Sequence, residues 1–351
     1  MLEFSRFPLS LNFLIFSLAA LAVLLAGMRL SRYAGAISAA TGIGHATLGI
    51  ILLAGVTSLP EIGVTATASL AGNTPLAINN LFGSIAMQVA LLSVVDFAAG
   101  PRALTAVMPD PKVILQGNMN VLLLALAACG MVVGDIAFFG VGLWSLACLA
   151  GYLACVWVLA FEAERRPWRP AGEGGPARQG DEEEVVETEE DGGEPPLRHL
   201  VAKTIAVAVV ILIAGFAVAR SGEAIATQTG LGSSFVGFVL VAISTSLPEA
   251  STALAAARNG YLTMAMSDVL GTNLINVALV FLVDVLSTGR PPLDTVDSFA
   301  VFGTLLTIVL TALFVLGLVE RRDRAFLRLG YDSIAVLAAY SGGLVLLYTL
   351  R

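Results

Sequence analysis

The chain contains itself twice. Ala54, Thr57-Ser58-Leu59-Pro60-Glu61, Gly72, Ala77, Gly83, Val89-Ala90-Leu91 and Asp96 recur without a gap, 188 residues on, as Ala242, Thr245-Ser246-Leu247-Pro248-Glu249, Gly260, Ala265, Gly271, Val277-Ala278-Leu279 and Asp284. An ungapped repeat of this length marks a duplicated structural unit. Both copies lie in apolar runs, and an odd number of such runs separates equivalent elements. The two halves are therefore expected to cross a membrane in opposite senses, as an inverted repeat with its site at the midplane between them.

The apolar runs themselves set the class. Of 351 residues, 57% are hydrophobic and 13% charged, with a mean hydropathy of +0.87, more apolar surface than one water-soluble core can hide. Runs long enough to span fall near 11–30, 36–71 (interrupted by Pro60), 76–99, 112–134 and 137–161, then 200–219, 232–257, 262–287, 298–319 and 331–350. Leu11 to Leu30 has no short apolar core followed by a small-residue cleavage site, so it reads as a retained first span. The expected fold is an all-α polytopic membrane protein, ten transmembrane helices in two inverted five-helix repeats, with Pro-broken helices at the midplane. Residues 1–161 and 200–351 form the halves.

Between them, 162–199 carries 12 acids and 5 basic residues, whereas the remainder of the chain balances 14 against 14. Rich in Gly and Pro as well, this loop cannot bury a core and reads as a disordered cytoplasmic tether. With the loop inside, 15 Lys and Arg fall in inner connections and four in outer ones, which places both termini outside. The Ala- and Arg-rich composition suits a prokaryotic cytoplasmic membrane. No basic, aromatic-interleaved surface suggests nucleic acid. Cys129, Cys148 and Cys155 lie in apolar runs as packing residues.

The repeated Thr-Ser-Leu-Pro-Glu carries chemistry. A proline inside a span removes a backbone donor and frees the carbonyl four residues back, Val56 for Pro60 and Ser244 for Pro248. Exposed acceptors at bilayer depth are tolerated where they line a cavity, and an adjacent carboxylate makes the occupant a cation. Thr57, Ser58 and Glu61, mirrored by Thr245, Ser246 and Glu249, gather hydroxyl and carboxylate oxygens at the break. A small-residue turn follows in each copy, Gly83-Ser84 and Gly271-Thr272, with an amide four positions later, Gln88 and Asn276. Such an all-oxygen set is what hard cations such as Ca2+ prefer. Asp268, one turn before Thr272, is a further candidate; Asp96 and Asp284, twelve residues beyond the turns, are expected at span ends as interfacial or gate residues. His45 reads as structural, and Gln116, Asn118 and Asn120 as an interfacial helix end.

These two segments, about 45–95 and 233–284, resemble the alpha repeats of the cation/calcium exchanger superfamily, whose sodium/calcium branch has Thr-Ser-Leu-Pro-Glu and Gly-Ser-Asn signatures. The resemblance implies a ten-helix antiporter with Glu61 and Glu249 as principal calcium ligands. Thr57, Ser58, Thr245, Ser246, Ser84, Thr272 and the carbonyls of Ala54 and Ala242 would serve the transported ions. The chain departs from the sodium/calcium pattern at Gln88 and Asn276, where Asn and Asp are usual, at Ile85, and at Asp268. The segment from Gly83 to Leu91 is also similar to the glutamine-bearing segment of the proton/calcium branch, so the implied coupling ion is Na+ or H+. No cofactor is expected. A cation channel or uniporter on the same site is the alternative; an intramembrane enzyme would need a paired Asp motif, a Ser/His dyad or a His-rich set, which the spans lack.

Overall fold

The computed structural model describes residues 4–41, 58–99, 111–138, 140–162, 197–258, 262–320, 325–326 and 329–351. Ala54, Thr57, His45 and most of the acidic loop lie outside the described residues. The first half comprises α1 (Leu9–Thr41), α2 (Leu59–Leu70), α3 (Thr74–Ala99), α4 (Pro111–Val133), a small hairpin β1 (Ala137–Phe138) and β2 (Val141–Gly142), and α5 (Leu143–Glu162). The second comprises α6 (Leu197–Thr229), α7 (Ser233–Arg258), α8 (Leu262–Leu286), α9 (Ser298–Glu320), a hairpin β3 (Ala325–Phe326) and β4 (Leu329–Gly330), and α10 (Tyr331–Leu350). The 188-residue shift carries α1 onto α6, both hairpin strands onto their counterparts and α5 onto α10, residue for residue. Among the described residues nine helices are long and apolar enough to cross a membrane; α2, as described, has 12 residues.

Several expectations need correction. One helix, α1, runs through the expected 31–35 connection, because Arg29 to Gly35 holds no proline and a lone glycine costs a helix only about 1 kcal/mol. At 33 residues α1 and α6 are each about 50 Å long, more than the ~30 Å hydrocarbon core, so both ends project or the helices tilt. α6 continues ten residues past its expected end, and Arg220 and Glu223 pair at 2.5 Å on one face of this extension. Residues 137–142 form a hairpin rather than the start of a span: Gly140 adopts φ +84°, and Ala137 pairs with Gly142.

The two repeated prolines behave differently from each other. Pro60 opens α2 in its first turn, where its missing N–H has no helical partner to lose. Pro248 does not break its helix. It sits inside the continuous segment Ala242–Arg258, and the irregularity lies earlier, as a π turn at Gly237–Val241. A π turn widens the backbone ring locally and leaves the helix whole, and such turns often accompany functional sites. Close approach fixes its place. A side chain on Gly237 would press on the Leu76 main chain, and one on Gly83 would overlap the Phe238 main chain, so only glycines let α3 and α7 touch here.

Burial separates centre from rim. α3 and α8 have 83% and 67% of their spanning windows buried, against 11% for α5 and 22% for α10. α3 packs on α2, α7, α8, α9 and α10, while α8 packs on α2, α3, α4, α5 and α7. α1 and α6 lie against each other and touch the centre through α7 and α2. Large apolar side chains such as Leu14, Leu18, Trp157, Ile213, Leu316 and Val345 face outward, as lipid-facing surfaces require. Among the cysteines, Cys148 and Cys155 are buried and Cys129 is exposed, so Cys129 is not a core packing residue.

Candidate cation site

Glu61 in the first turn of α2 and Glu249 in α7 are both fully buried. Each belongs to its half's Pro-Glu pair, α2 packs against α7, and Ser246, one turn before Glu249, faces Glu61. Among the described residues no basic side chain contacts either carboxyl. A buried carboxylate without a counter-charge costs several kcal/mol, so a pair of them calls for a cation.

Polar groups of α3 and α7 gather beside Glu61. Gln88 Nε2 of α3 donates to Ser246 Oγ of α7 at 3.3 Å, and Ser246 Oγ in turn faces Glu61 Oε1 at 3.5 Å. Ser84 Oγ lies 3.2 Å from Thr245 Oγ1, whose hydroxyl also faces the Ala242 carbonyl at 3.2 Å and Asn80 Oδ1 at 3.4 Å. Five expected residues, Ser84, Gln88, Thr245, Ser246 and Ala242, thus join Glu61 in one contact network that ties one half to the other. Ser58 is fully buried at the start of α2. Thr272 and Asn276 of α8 are fully buried, and among the described residues their side-chain polar atoms and both Glu249 oxygens have no hydrogen-bond partner, nor has Glu61 Oε2. Ser84 and Thr272 each sit ten residues into their helices, about 15 Å from the start.

Asp268 stands beside this network. Its Oδ2 accepts from Thr252 Oγ1 at 3.4 Å, Thr252 Oγ1 also faces the Glu249 carbonyl at 3.0 Å, and Asp268's charge acts on Glu249. Asn80 was not foreseen, although it is fully buried and touches Thr245. The repeat held the signal, since a shift of 188 lays Asn80 on Asp268. Asn273, next to Thr272, is likewise fully buried and unforeseen.

Asp96 and Asp284 lie away from these oxygens, near the ends of α3 and α8, and cap backbone of the opposite half. Asp96 Oδ2 accepts from Gly330 N at 2.9 Å, and Asp284 Oδ2 accepts from Gly142 N at 2.6 Å and from the Ser145 hydroxyl. Gly142 and Gly330 are equivalent positions, so the two caps are one interaction made twice. Of the expected interfacial end Gln116, Asn118 and Asn120, only Asn118 is exposed; Gln116 and Asn120 are buried, and Asn120 donates to the Leu270 carbonyl of α8.

The family model described as sodium/calcium exchanger protein matches the chain twice, over residues 11–161 and 199–349. The inner membrane protein YrbG of Escherichia coli strain K12 is 27% identical over 240 residues, 68% of each chain. A putative antiporter, CaxA of Alkalimonas amylolytica, is 23% identical over 317 residues, 86% of this chain and 88% of that protein. Among solved structures, the H+/Ca2+ exchanger CAX superposes with a TM-score of 0.64 at 17% identity, covering 97% of this chain and 85% of that one. The sodium-calcium exchanger NCX_Mj superposes with a TM-score of 0.60 at 17% identity, covering 98% and 100%. With a duplicated match over most of its length and apolar helices throughout, the chain is a multi-pass integral membrane protein of the sodium/calcium exchanger family.

Proposed function

We propose that the chain is a secondary antiporter that exchanges Ca2+ for Na+ or H+ by alternating access, with Ca2+ held between Glu61 and Glu249. The observation that carries this is the pair of fully buried carboxyls, one from each half, with no basic partner among the described residues and with the Gln88 amide of α3 and the Ser246 hydroxyl of α7 linked to Glu61. Two carboxylates balance one Ca2+, two Na+ or two protons, so one site accepts either cargo in turn without a net charge left buried. Thr57, Ser58, Ser84, Gln88, Thr245, Ser246, Thr272, Asn276 and the Ala54 and Ala242 carbonyls complete the ligand set. Asp268, through its charge on Glu249, supplies a third acid to the site. The chain needs no cofactor and performs no covalent chemistry.

The architecture in this reading is ten membrane helices in two inverted repeats, 1–161 and 200–351, in a prokaryotic cytoplasmic membrane with the acidic loop inside and both termini outside. Its partners include the bilayer and inorganic cations. The test is uptake of radiolabelled Ca2+ into proteoliposomes under an outward Na+ gradient, an outward H+ gradient, or neither. Gradient-driven uptake that is lost in both E61Q and E249Q is expected, since removing one of two buried charges should weaken Ca2+ binding by about a hundredfold or more. Uptake that needs no counter-ion would instead make the chain a uniporter, and uptake unchanged in both variants would remove the site.

A further inference from the structure

α4 and α9, which lend no residue to the ligand set, nevertheless carry polar side chains into the bundle. Asn120 and Thr307 are fully buried. Asn120 Nδ2 donates to the Leu270 carbonyl of α8 at 2.9 Å, and the Thr307 hydroxyl faces the Phe82 carbonyl of α3 at 3.3 Å. Phe82 and Leu270 are equivalent positions of the repeat, each two residues before a candidate ligand hydroxyl, Ser84 or Thr272. Both ligand-bearing central helices are therefore gripped from outside by their main chain, at the same point.

The two grips differ in strength. An amide has two protons, and Asn120 directs one to the Gln116 carbonyl of its own helix at 3.0 Å and the other to Leu270. Thr307 has one proton for two acceptors, the Gly303 carbonyl at 2.7 Å and the Phe82 carbonyl at 3.3 Å, and the nearer acceptor takes the larger share. The donors also occupy different positions: the 188-residue shift lays Asn120 on Ile308 and Thr307 on Met119. A helical carbonyl ordinarily faces the N–H four residues on; a lateral donor draws it off the axis and sets the local bend. At bilayer depth no water replaces that donor.

We propose that Asn120 is a positioning residue for the transported cation: by holding the Leu270 carbonyl it fixes the main chain that presents the Thr272 hydroxyl and the Asn276 amide. Thr307 is its weaker counterpart on the Ser84 side. The inference rests on the calcium-exchange reading and deepens it. The experiment takes full-length N120L, N120T and T307V and measures Ca2+ KM and Vmax in proteoliposomes and the Ca2+-induced rise of Tm in detergent. N120L should raise KM about three- to tenfold with little change in Vmax. N120T, which offers one hydroxyl proton, should fall between N120L and wild type, and T307V should change KM by less than about twofold. An N120L protein whose Ca2+-free Tm falls while its KM and its Ca2+-induced Tm rise stay at wild-type values would show mere packing and overturn the proposal. So would a T307V effect as large as that of N120L. If N120L does not fold, N120T against wild type makes the same distinction. A wild-type protein with neither Ca2+ uptake nor a Ca2+-induced Tm rise would overturn the exchange reading itself, and the positioning role with it.

Discussion

Ser246 joins the two halves at the site: its hydroxyl receives Gln88 Nε2 from α3 and faces Glu61 from α2. This gives Gln88, a candidate ligand in the sequence, a contact inside the protein as well. A hydrogen bond to a charged group contributes about 1.5–3 kcal/mol, so S246A should raise the Ca2+ KM about tenfold, read in the same uptake assay, while S246T should retain most of the affinity. Asp268 makes a separate prediction. If it adds a third charge to the site, D268N should lower the Hill coefficient for the counter-ion and leave Ca2+ uptake measurable; an unchanged Hill coefficient would confine Asp268 to its contact with Thr252. The repeated Glu61 and Glu249 were legible in the sequence because charge inside an apolar run is costly wherever it falls. Asn80 and Asn120 were not, because an amide's role depends on the partner that tertiary packing brings to it, and neither partner lies nearby in the chain.

Among the elements, the hairpins and their caps hold the rim to the centre. Asp284 at the end of α8 caps the backbone that opens α5, and Asp96 at the end of α3 does the same for α10. D284A and D96A should each lower Tm in detergent, and D284N less so, because an asparagine oxygen still accepts from Gly142. Asp135, in the turn before β1, accepts from Trp144 N at 3.0 Å and Ile136 N at 2.9 Å. Its carboxyl lies above the ordinary carboxylate range, first because it is partly buried and also because of the charge of Asp284, while the Trp144 and Ile136 N–H groups oppose the shift. A raised carboxylate favours the folded protein below its unfolded pKa and loses that contribution as pH rises through the folded value. D135N should therefore lose less stability than wild type as pH rises above about 4, followed by thermal melting. The positions of most helices were readable from apolar run lengths. The hairpin over 137–142 was not, since its residues are as apolar as a span, and only Gly140's positive φ separates turn from helix. The π turn escaped for a similar reason: its glycines answer to close approach by α3, a tertiary demand.

At the scale of the whole molecule, the halves share their elements but differ in one register. Gly27 of α1 lies against Pro248 of α7, where an added Cβ would fall 2.5 Å from the proline ring. Gly215 of α6 is the equivalent of Gly27, yet it lies against Gly63 and Val64 of α2 rather than against Pro60, the equivalent of Pro248. The α1–α6 pair is thus seated one helical turn further along one half than along the other, about 5 Å. The alternating access proposed above would move α1 and α6 across the remaining core. Exchanging the registers of the two halves then gives the opposite end of that motion: Gly215 against Pro60, and Gly27 against Ser251 and Thr252. In a background with Cys129, Cys148 and Cys155 replaced by serine, G27C paired with S251C should cross-link under one ionic condition, counter-ion or Ca2+, and much less under the other. A disulfide requires Cα atoms within about 7 Å, a separation that one turn of sliding makes or breaks. Cross-linking of equal yield under both conditions would mean that the offset is a fixed difference between the halves, and the moving part would then have to be sought elsewhere than in α1 and α6.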